Sequence, residues 1–295
     1  MIDAVPPSVV AAAAGAGTVV TGCTVESIGG STGAATASVQ RLVFEAGSQA
    51  FTVIKKSFRP LPEGRHAGGA EDLRHWAYWR RELLAYESGL LPRGPGLRAP
   101  RWLGTDGDAV FLEPATGPAE RPELAAERLA IWQAAADVPE VPWLAGHQLT
   151  QRLAVTELDW TAVEVDPAVP EIWSRRADLL EALGAVPSVL SHGDFHPGNL
   201  VAAGSDTIVL DWGTFGVAPV GADLAHLALG TLRDQLPFYL KGSVGRFAIG
   251  DVLVGYRVTL ALTGVSRIHW MLSRGVPLPD DYVRFVKVQA AAIPW

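Results

Sequence analysis

The sequence has one cysteine, Cys23, among 295 residues, and two methionines. A lone thiol excludes an intramolecular disulfide framework and a multi-thiolate metal site. Charge is scarce too. Lys and Arg number 24 against 31 Asp and Glu, for a net charge of −7, and no long basic run occurs. That argues against a nucleic-acid partner, which calls for clustered cations. The N-terminus offers no long hydrophobic run either. The Ala- and Gly-rich stretch from Val9 to Val20 is too short and too weakly apolar to cross a bilayer, and Met1 to Pro7 carry no positive charge for a signal peptide. The expectation is a cytoplasmic protein with no membrane partner, in which this stretch is a short helix leading into the first strand. Apolar residues make up 48% and charged residues 19%, which fits a packed globular chain long enough for one large domain or two lobes.

What is present is concentrated in one stretch. Ser191-His192-Gly193-Asp194-Phe195-His196-Pro197-Gly198-Asn199-Leu200 is followed by Thr207-Ile208-Val209-Leu210-Asp211-Trp212. An Asp, an Asn and a second Asp therefore each sit beside an apolar, strand-like run. Phosphoryl transfer uses these side chains. One carboxylate orients an attacking hydroxyl, while an amide oxygen and a second carboxylate hold Mg²⁺ against nucleotide phosphates. A free aspartate titrates near ~4 and cannot strip an alcohol in its ground state, so Asp194 would take the proton late, as transfer proceeds. Asn199 and Asp211 are the candidate metal ligands.

His192-Gly193-Asp194-x-His196-x-x-Asn199, with a hydrophobic strand ending in Asp211, resembles the signature of the aminoglycoside phosphotransferase and choline kinase-like family. The resemblance is tight over 188–225 and loose elsewhere. It implies an α+β, bilobal protein-kinase-like fold: a five-stranded antiparallel N-terminal nucleotide-binding lobe over 1–113, a hinge at 114–118, and a mainly helical C-terminal lobe over 119–295 carrying the catalytic loop and acceptor pocket. It also implies transfer of the γ-phosphate of ATP, or alternatively GTP, with Mg²⁺, to a hydroxyl of a small molecule. Acceptors in the family include aminoglycosides, other antibiotics, choline, amino acids and sugars. An antibiotic acceptor is the reading taken and a metabolite kinase the alternative, in a monomer or weak homodimer.

Along the chain, Thr18–Ile28 and Thr36–Glu45 read as strands flanking Gly29-Gly30-Ser31-Thr32-Gly33. The loop lacks the Walker or protein-kinase glycine spacing; only the downstream motif makes Gly30, Ser31 and Thr32 phosphate-binding candidates. Phe51 to Pro60 is a third strand with two lysines. Alternation sends Lys55 and Lys56 to opposite faces, so one alone can meet the nucleotide. The following Arg-Pro resembles bacterial family members whose nucleotide lysine corresponds to Lys56. Leu73–Leu90 has near-helical apolar spacing. By the resemblance Glu82, in its middle, pairs with that lysine; a surface i,i+4 partner is the bland reading. Arg101–Gly104 and Ala109–Glu113 complete the sheet. At the linker Glu113 and Ala115 are nucleotide-site candidates, with Ala115 as adenine donor because Pro114 has no N–H.

Helices are expected from Pro122 to Asp137, Gly146 to Leu153, Trp173 to Leu183, and from Leu224 onward, with Leu200–Leu210 as a hairpin turning at Gly204-Ser205-Asp206. Asp223 would cap the helix it opens and, by the resemblance, brace the catalytic loop. His192 and His196 have a metal-like spacing, but no convincing third zinc ligand accompanies them, so they read as loop-bracing groups. Two rivals are weaker. A nucleotide-binding pseudo-kinase would not need Asp194, Asn199 and Asp211 together, and a protein kinase would carry an activation-loop insertion before Asp223.

Overall fold

The computed structural model describes residues 4–29 and 35–294. The chain divides into two compact units, Met1–Pro118 with Val201–Thr214 and Ala119–Leu200 with Phe215–Trp295. The segment 201–214, expected in the helical lobe, is therefore part of the first unit.

The first unit begins with helix α1 (Pro7–Ala14), which has proline at its first turn, where a missing N–H costs nothing. Strands β1 (Gly22–Ser27), β2 (Thr36–Ala46) and β3 (Gln49–Phe58) follow. After helix α2 (Arg81–Ser88) come β4 (Leu97–Arg98), β5 (Trp102–Asp106) and β6 (Ala109–Leu112). Among the described residues one sheet has five strands in the order β1-β2-β3-β6-β5, with every neighbour antiparallel. Alternation along β2 and β3 buries Leu42, Phe44 and Val53 on one face, with Val5, Val9, Val10, Leu103 and Phe111. Fully burying side chains of this size stabilises by about 1.5–3 kcal/mol each. Because Val53 faces this core, β-strand alternation turns Lys56 to the opposite face.

The helix expected from Leu73 starts only at Arg81. The guanidinium of Arg81, wholly buried, donates to the carbonyls of Leu73 at 2.9 Å and His75 at 2.6 Å. Those carbonyls are thereby held in a chain of turns, so Trp76, Tyr78 and Trp79 precede the helix despite their spacing.

The second unit starts with α3 (Pro122–Ala135) and α4 (Gln148–Leu153). The single helix expected around Trp173 is two, α5 (Ala168–Ser174) and α6 (Arg176–Gly184). Strand β7 (Ser188–Ser191) leads into the motif. The chain then enters the first unit with β8 (Leu200–Ala203) and β9 (Asp206–Val209), and β9 also pairs with β4 in parallel. Asp206 fixes that pairing, accepting the Gly96 N–H at 2.7 Å.

Back in the second unit, β10 (Gly216–Pro219) pairs antiparallel with β7. Helices α7 (Ala222–Thr231), α8 (Leu236–Ser243), α9 (Ile249–Leu272) and α10 (Tyr282–Ala291) complete the chain. α9 packs against α5, α6, α7 and α10. Among the described residues α9 has the length and apolarity to cross a membrane, with 61% of its apolar window buried, as in a core helix.

Candidate active site

In the first unit, β3, α2 and the end of β9 bring three predicted residues together. Lys56 Nζ lies 2.6 Å from Glu82 Oε2 and 2.7 Å from Asp211 Oδ1. Lys55 is on the other face, with Nζ 5.6 Å from the Phe111 ring centroid. Lys56 and Glu82 are buried, whereas the Asp211 side chain is 41% exposed. Burial alone would lower the Lys56 ammonium; the Glu82 and Asp211 carboxylates outweigh it and keep the lysine charged. Burial raises the Glu82 carboxyl and Asp211 adds to this, with Lys56 opposing. Asp211 also has φ +63°, a left-handed backbone uncommon outside glycine and often found at functional sites.

Glu113 follows β6 and its carboxylate lies 3.4 Å from Arg101 Nε. Ala115 is partly buried in the segment after it. Gly30, Ser31 and Thr32 lie outside the described residues.

The motif loop of the second unit is built on Asp223. This buried carboxylate accepts from Ser191 Oγ and the Gly193 N–H, both at 2.9 Å, on one oxygen. The other oxygen accepts from the His192 N–H at 2.9 Å and Gln133 Nε2 at 3.1 Å. The expected helix cap is absent: the N-cap position is Gly221, and the Asp223 side chain turns into the loop. Four donors belong to the loop and its neighbours, which is why the carboxylate is spent there. Burial nevertheless raises the Asp223 carboxyl above its ordinary value. Gly193 sits at φ +80°, where glycine meets no steric penalty, and this lets its N–H join the cluster.

His192 is fully buried, and its Nδ1 accepts from the Asp194 N–H at 3.2 Å. His196 Nδ1 accepts from the Gly198 N–H at 3.1 Å, which places the ring proton on Nε2, 3.6 Å from Asp194 Oδ2. Partial burial would raise the Asp194 carboxyl. The His196 contact, with the His226 and His192 rings close by, overcomes that and holds the group well below the usual carboxylate range. Asp194 is thus an anion at any physiological pH.

Asn199 donates through Nδ2 to the Asp194 carbonyl at 3.0 Å. Its amide oxygen is then the atom left for a cation. Among the described residues no group of three His, Cys, Asp or Glu side chains could enclose a metal. One carboxylate and one amide oxygen instead suit Mg²⁺, which keeps waters and phosphate oxygens in its shell. The Asn199 amide oxygen and the Asp211 carboxylate are each oxygen donors of the kind Mg²⁺ takes.

Sequence reasoning missed several participants. Gln133 on α3 also donates to the Leu190 carbonyl at 2.9 Å and accepts from the buried Tyr239 hydroxyl at 2.6 Å. The Gln148 amide, oriented to satisfy both its atoms, donates to the Gly193 carbonyl at 2.6 Å and accepts from Arg152 at 2.9 Å. His226 on α7 is buried; burial first, then Arg267 and Arg152, push its imidazole down to about 3, with Asp194 opposing. These residues lie on helices, where no local spacing marks them as partners of the loop.

The chain resembles the solved structure of a candidate fructosamine-3-kinase from Thermobifida fusca at 19% identity and TM-score 0.56, covering 99% of each chain. It also resembles amicoumacin kinase hAmiN, solved with AMP-PNP, Ca²⁺ and Ami, at 13% identity and TM-score 0.55, covering 92% of this chain and 89% of that one. Choline kinase LicA from Streptococcus pneumoniae aligns at 14% identity and TM-score 0.53, covering 92% of each. No curated protein matches. The shared architecture is the protein-kinase-like α+β fold. The family model described as the phosphotransferase enzyme family matches residues 81–248, more than half of the chain, a span that holds Glu82, Asp194, Asn199, Asp211 and Asp223; the chain belongs to that family.

Proposed function

We propose that this phosphotransferase moves the γ-phosphate of a nucleoside triphosphate, ATP or GTP, onto a hydroxyl of a small molecule. The observation that carries the proposal is the buried Lys56 ammonium held at 2.6 and 2.7 Å by Glu82 and Asp211. A lysine fixed by a buried carboxylate is a positioned cation for the α- and β-phosphates. Asn199 and Asp211 would be the protein ligands of Mg²⁺, which when bound offsets negative charge on the phosphate oxygens. Asp194 orients the acceptor hydroxyl. As the acceptor oxygen bonds to phosphorus and the β–γ bridge breaks, the hydroxyl proton passes to Asp194 and then to solvent. Being a weak base, Asp194 contributes mainly orientation and a late proton transfer. His196 keeps its carboxylate turned and ionised.

An antibiotic acceptor remains the reading within this class, with a metabolite such as choline, an amino acid or a sugar as the alternative. An ATP-consumption screen over aminoglycosides, nucleoside and peptide antibiotics, choline and sugars tests this. Turnover on at least one of the antibiotics is expected, and turnover confined to choline or sugars would favour the metabolite alternative.

A further inference from the structure

Three buried polar side chains from three helices form one chain of hydrogen bonds behind the motif loop, all within the second unit. Tyr239 on α8 is fully buried, Gln133 on α3 is 2% exposed and Asp223 on α7 is 1% exposed. The Tyr239 hydroxyl donates to Gln133 Oε1 at 2.6 Å. Gln133 Nε2 donates in turn to Asp223 Oδ2 at 3.1 Å and to the Leu190 carbonyl at 2.9 Å. Asp223 carries the chain on to the loop, accepting the His192 and Gly193 N–H groups, each at 2.9 Å. Those two backbone donors stand directly ahead of Asp194.

The chain has one direction. The Asp223 carboxylate and the Leu190 carbonyl only accept, so the Gln133 amide nitrogen faces them and its oxygen is turned to α8. A buried amide oxygen there needs a donor, and the Tyr239 hydroxyl is that donor. Burial, and then the Asp223 charge, push the Tyr239 phenol well up, so it keeps its proton at any physiological pH. Helix packing sets where the two side chains meet. Gly242 lies one turn beyond Tyr239, and a Cβ there would strike the Glu127 carbonyl and the Ala130 side chain. α8 thus rests on the backbone of α3, and Lys241 adds an ion pair with Glu127 at 2.9 Å. Glu127, Ala130 and Gln133 recur every three residues, so the stripe of α3 that receives Gly242 also presents Gln133 to Tyr239.

We propose that Tyr239 and Gln133 are positioning residues of the phosphotransfer, an assignment that rests on the acceptor role of Asp194 proposed above. The hydroxyl aims the Gln133 amide. The amide holds Asp223 and the end of β7, and Asp223 fixes the His192–Gly193 backbone that presents Asp194 to the acceptor hydroxyl. Both residues act through Asp223 and neither touches a reactant, so their loss falls on turnover and not on nucleotide affinity.

Hydrogen exchange at the His192 and Gly193 amides, followed by NMR in the full chain, tests the brace without any turnover. Turnover on an acceptor found in the screen, alongside Mg-ATP affinity, tests its use. Tyr239→Phe keeps the ring and removes one oxygen, whereas Gln133→Leu removes both ends of the link. Each is expected to speed exchange at the two amides relative to the core of α9. Each should also lower kcat, Gln133→Leu by about tenfold or more, with Mg-ATP affinity within about twofold of wild type. The double variant should be no worse than Gln133→Leu alone, because Tyr239 acts only through the amide. Leu129→Val, a packing change at a fully buried position of α3, should lower Tm and leave kcat at the wild-type value. Tyr239→Phe decides alone if Gln133→Leu does not fold. The proposal is overturned by wild-type kcat in the folded variants, by an equal kcat loss in Leu129→Val, by effects that add in the double variant, or by exchange that rises only as the α9 core does. A wild type that turns over no acceptor removes the role of Asp194 and the proposal with it, while exchange still reports whether the chain of bonds holds the loop.

Discussion

Replacing Lys56 by methionine keeps the length of the side chain and deletes its charge. Glu82, 2% exposed, then faces Asp211 with nothing between them. Removing one partner of a buried ion pair costs about 3–5 kcal/mol when the remaining charge stays ionised. Here that full cost applies only at high pH. Burial and Asp211 both raise the Glu82 carboxyl, and Lys56 is the group that opposes them. Without the lysine, Glu82 in the folded state holds a proton that an unfolded glutamate, titrating near about 4.3, has released. For an acid whose folded pKa is raised, stability falls as pH rises above the unfolded value, by up to about 1.4 kcal/mol per pH unit until the folded value is passed. Lys56→Met should therefore lose little at pH 5 and several kcal/mol at pH 8. Urea unfolding at the two pH values checks this for wild type, Lys56→Met and Lys56→Met/Glu82→Gln. The double variant is expected to recover most of the loss at pH 8. An equal loss at both pH values, or no recovery on neutralising Glu82, refutes the buried-charge reasoning.

Three further outcomes follow from the second unit. Asp223→Ala strips the acceptor from Ser191, His192 and Gly193 in a buried loop; it should cost more than about 3 kcal/mol in thermal unfolding and lower turnover more than nucleotide binding. The His226 imidazole, pushed down from 6.5 to about 3, refuses a proton that the unfolded chain accepts, so stability falls as pH drops through that window by up to about 1.4 kcal/mol per unit. His226→Gln should flatten that loss in denaturation midpoints measured from pH 7 to pH 4. Gly255→Ala would drive a Cβ into the Val220 carbonyl and is expected to destabilise by at least about 2 kcal/mol, read as a drop in Tm.

The parts of the site legible in the sequence are those whose chemistry is set by local spacing. Asp194, Asn199 and Asp211 lie on one short stretch, and strand alternation separates the two lysines; the choice of Lys56 comes from the family resemblance, and in the fold Val53 on the core face sends Lys55 to Phe111 and Lys56 to Glu82. The braces were not legible. Gln133 and Tyr239 sit in largely apolar helical segments, and the two bond to each other across a long stretch of sequence. The start of α2 was misread because aromatic spacing at Trp76 and Trp79 mimics a helix, while a single buried guanidinium at Arg81 ties that segment into turns. The first-turn position of Asp223 predicts a cap and only the family resemblance predicts a brace; four long-range donors outcompete the local role, and the brace is what forms.

The central claim is that Asp194 serves the acceptor and not the nucleotide. Measuring turnover on an acceptor found in the screen alongside Mg-ATP affinity, for wild type and Asp194→Ala, separates the two. The account predicts phosphorylation lost by more than about a thousandfold, within the range assigned to a positioned acid–base group and its orienting role, with ATP affinity nearly unchanged. Turnover surviving within about tenfold of wild type would contradict it.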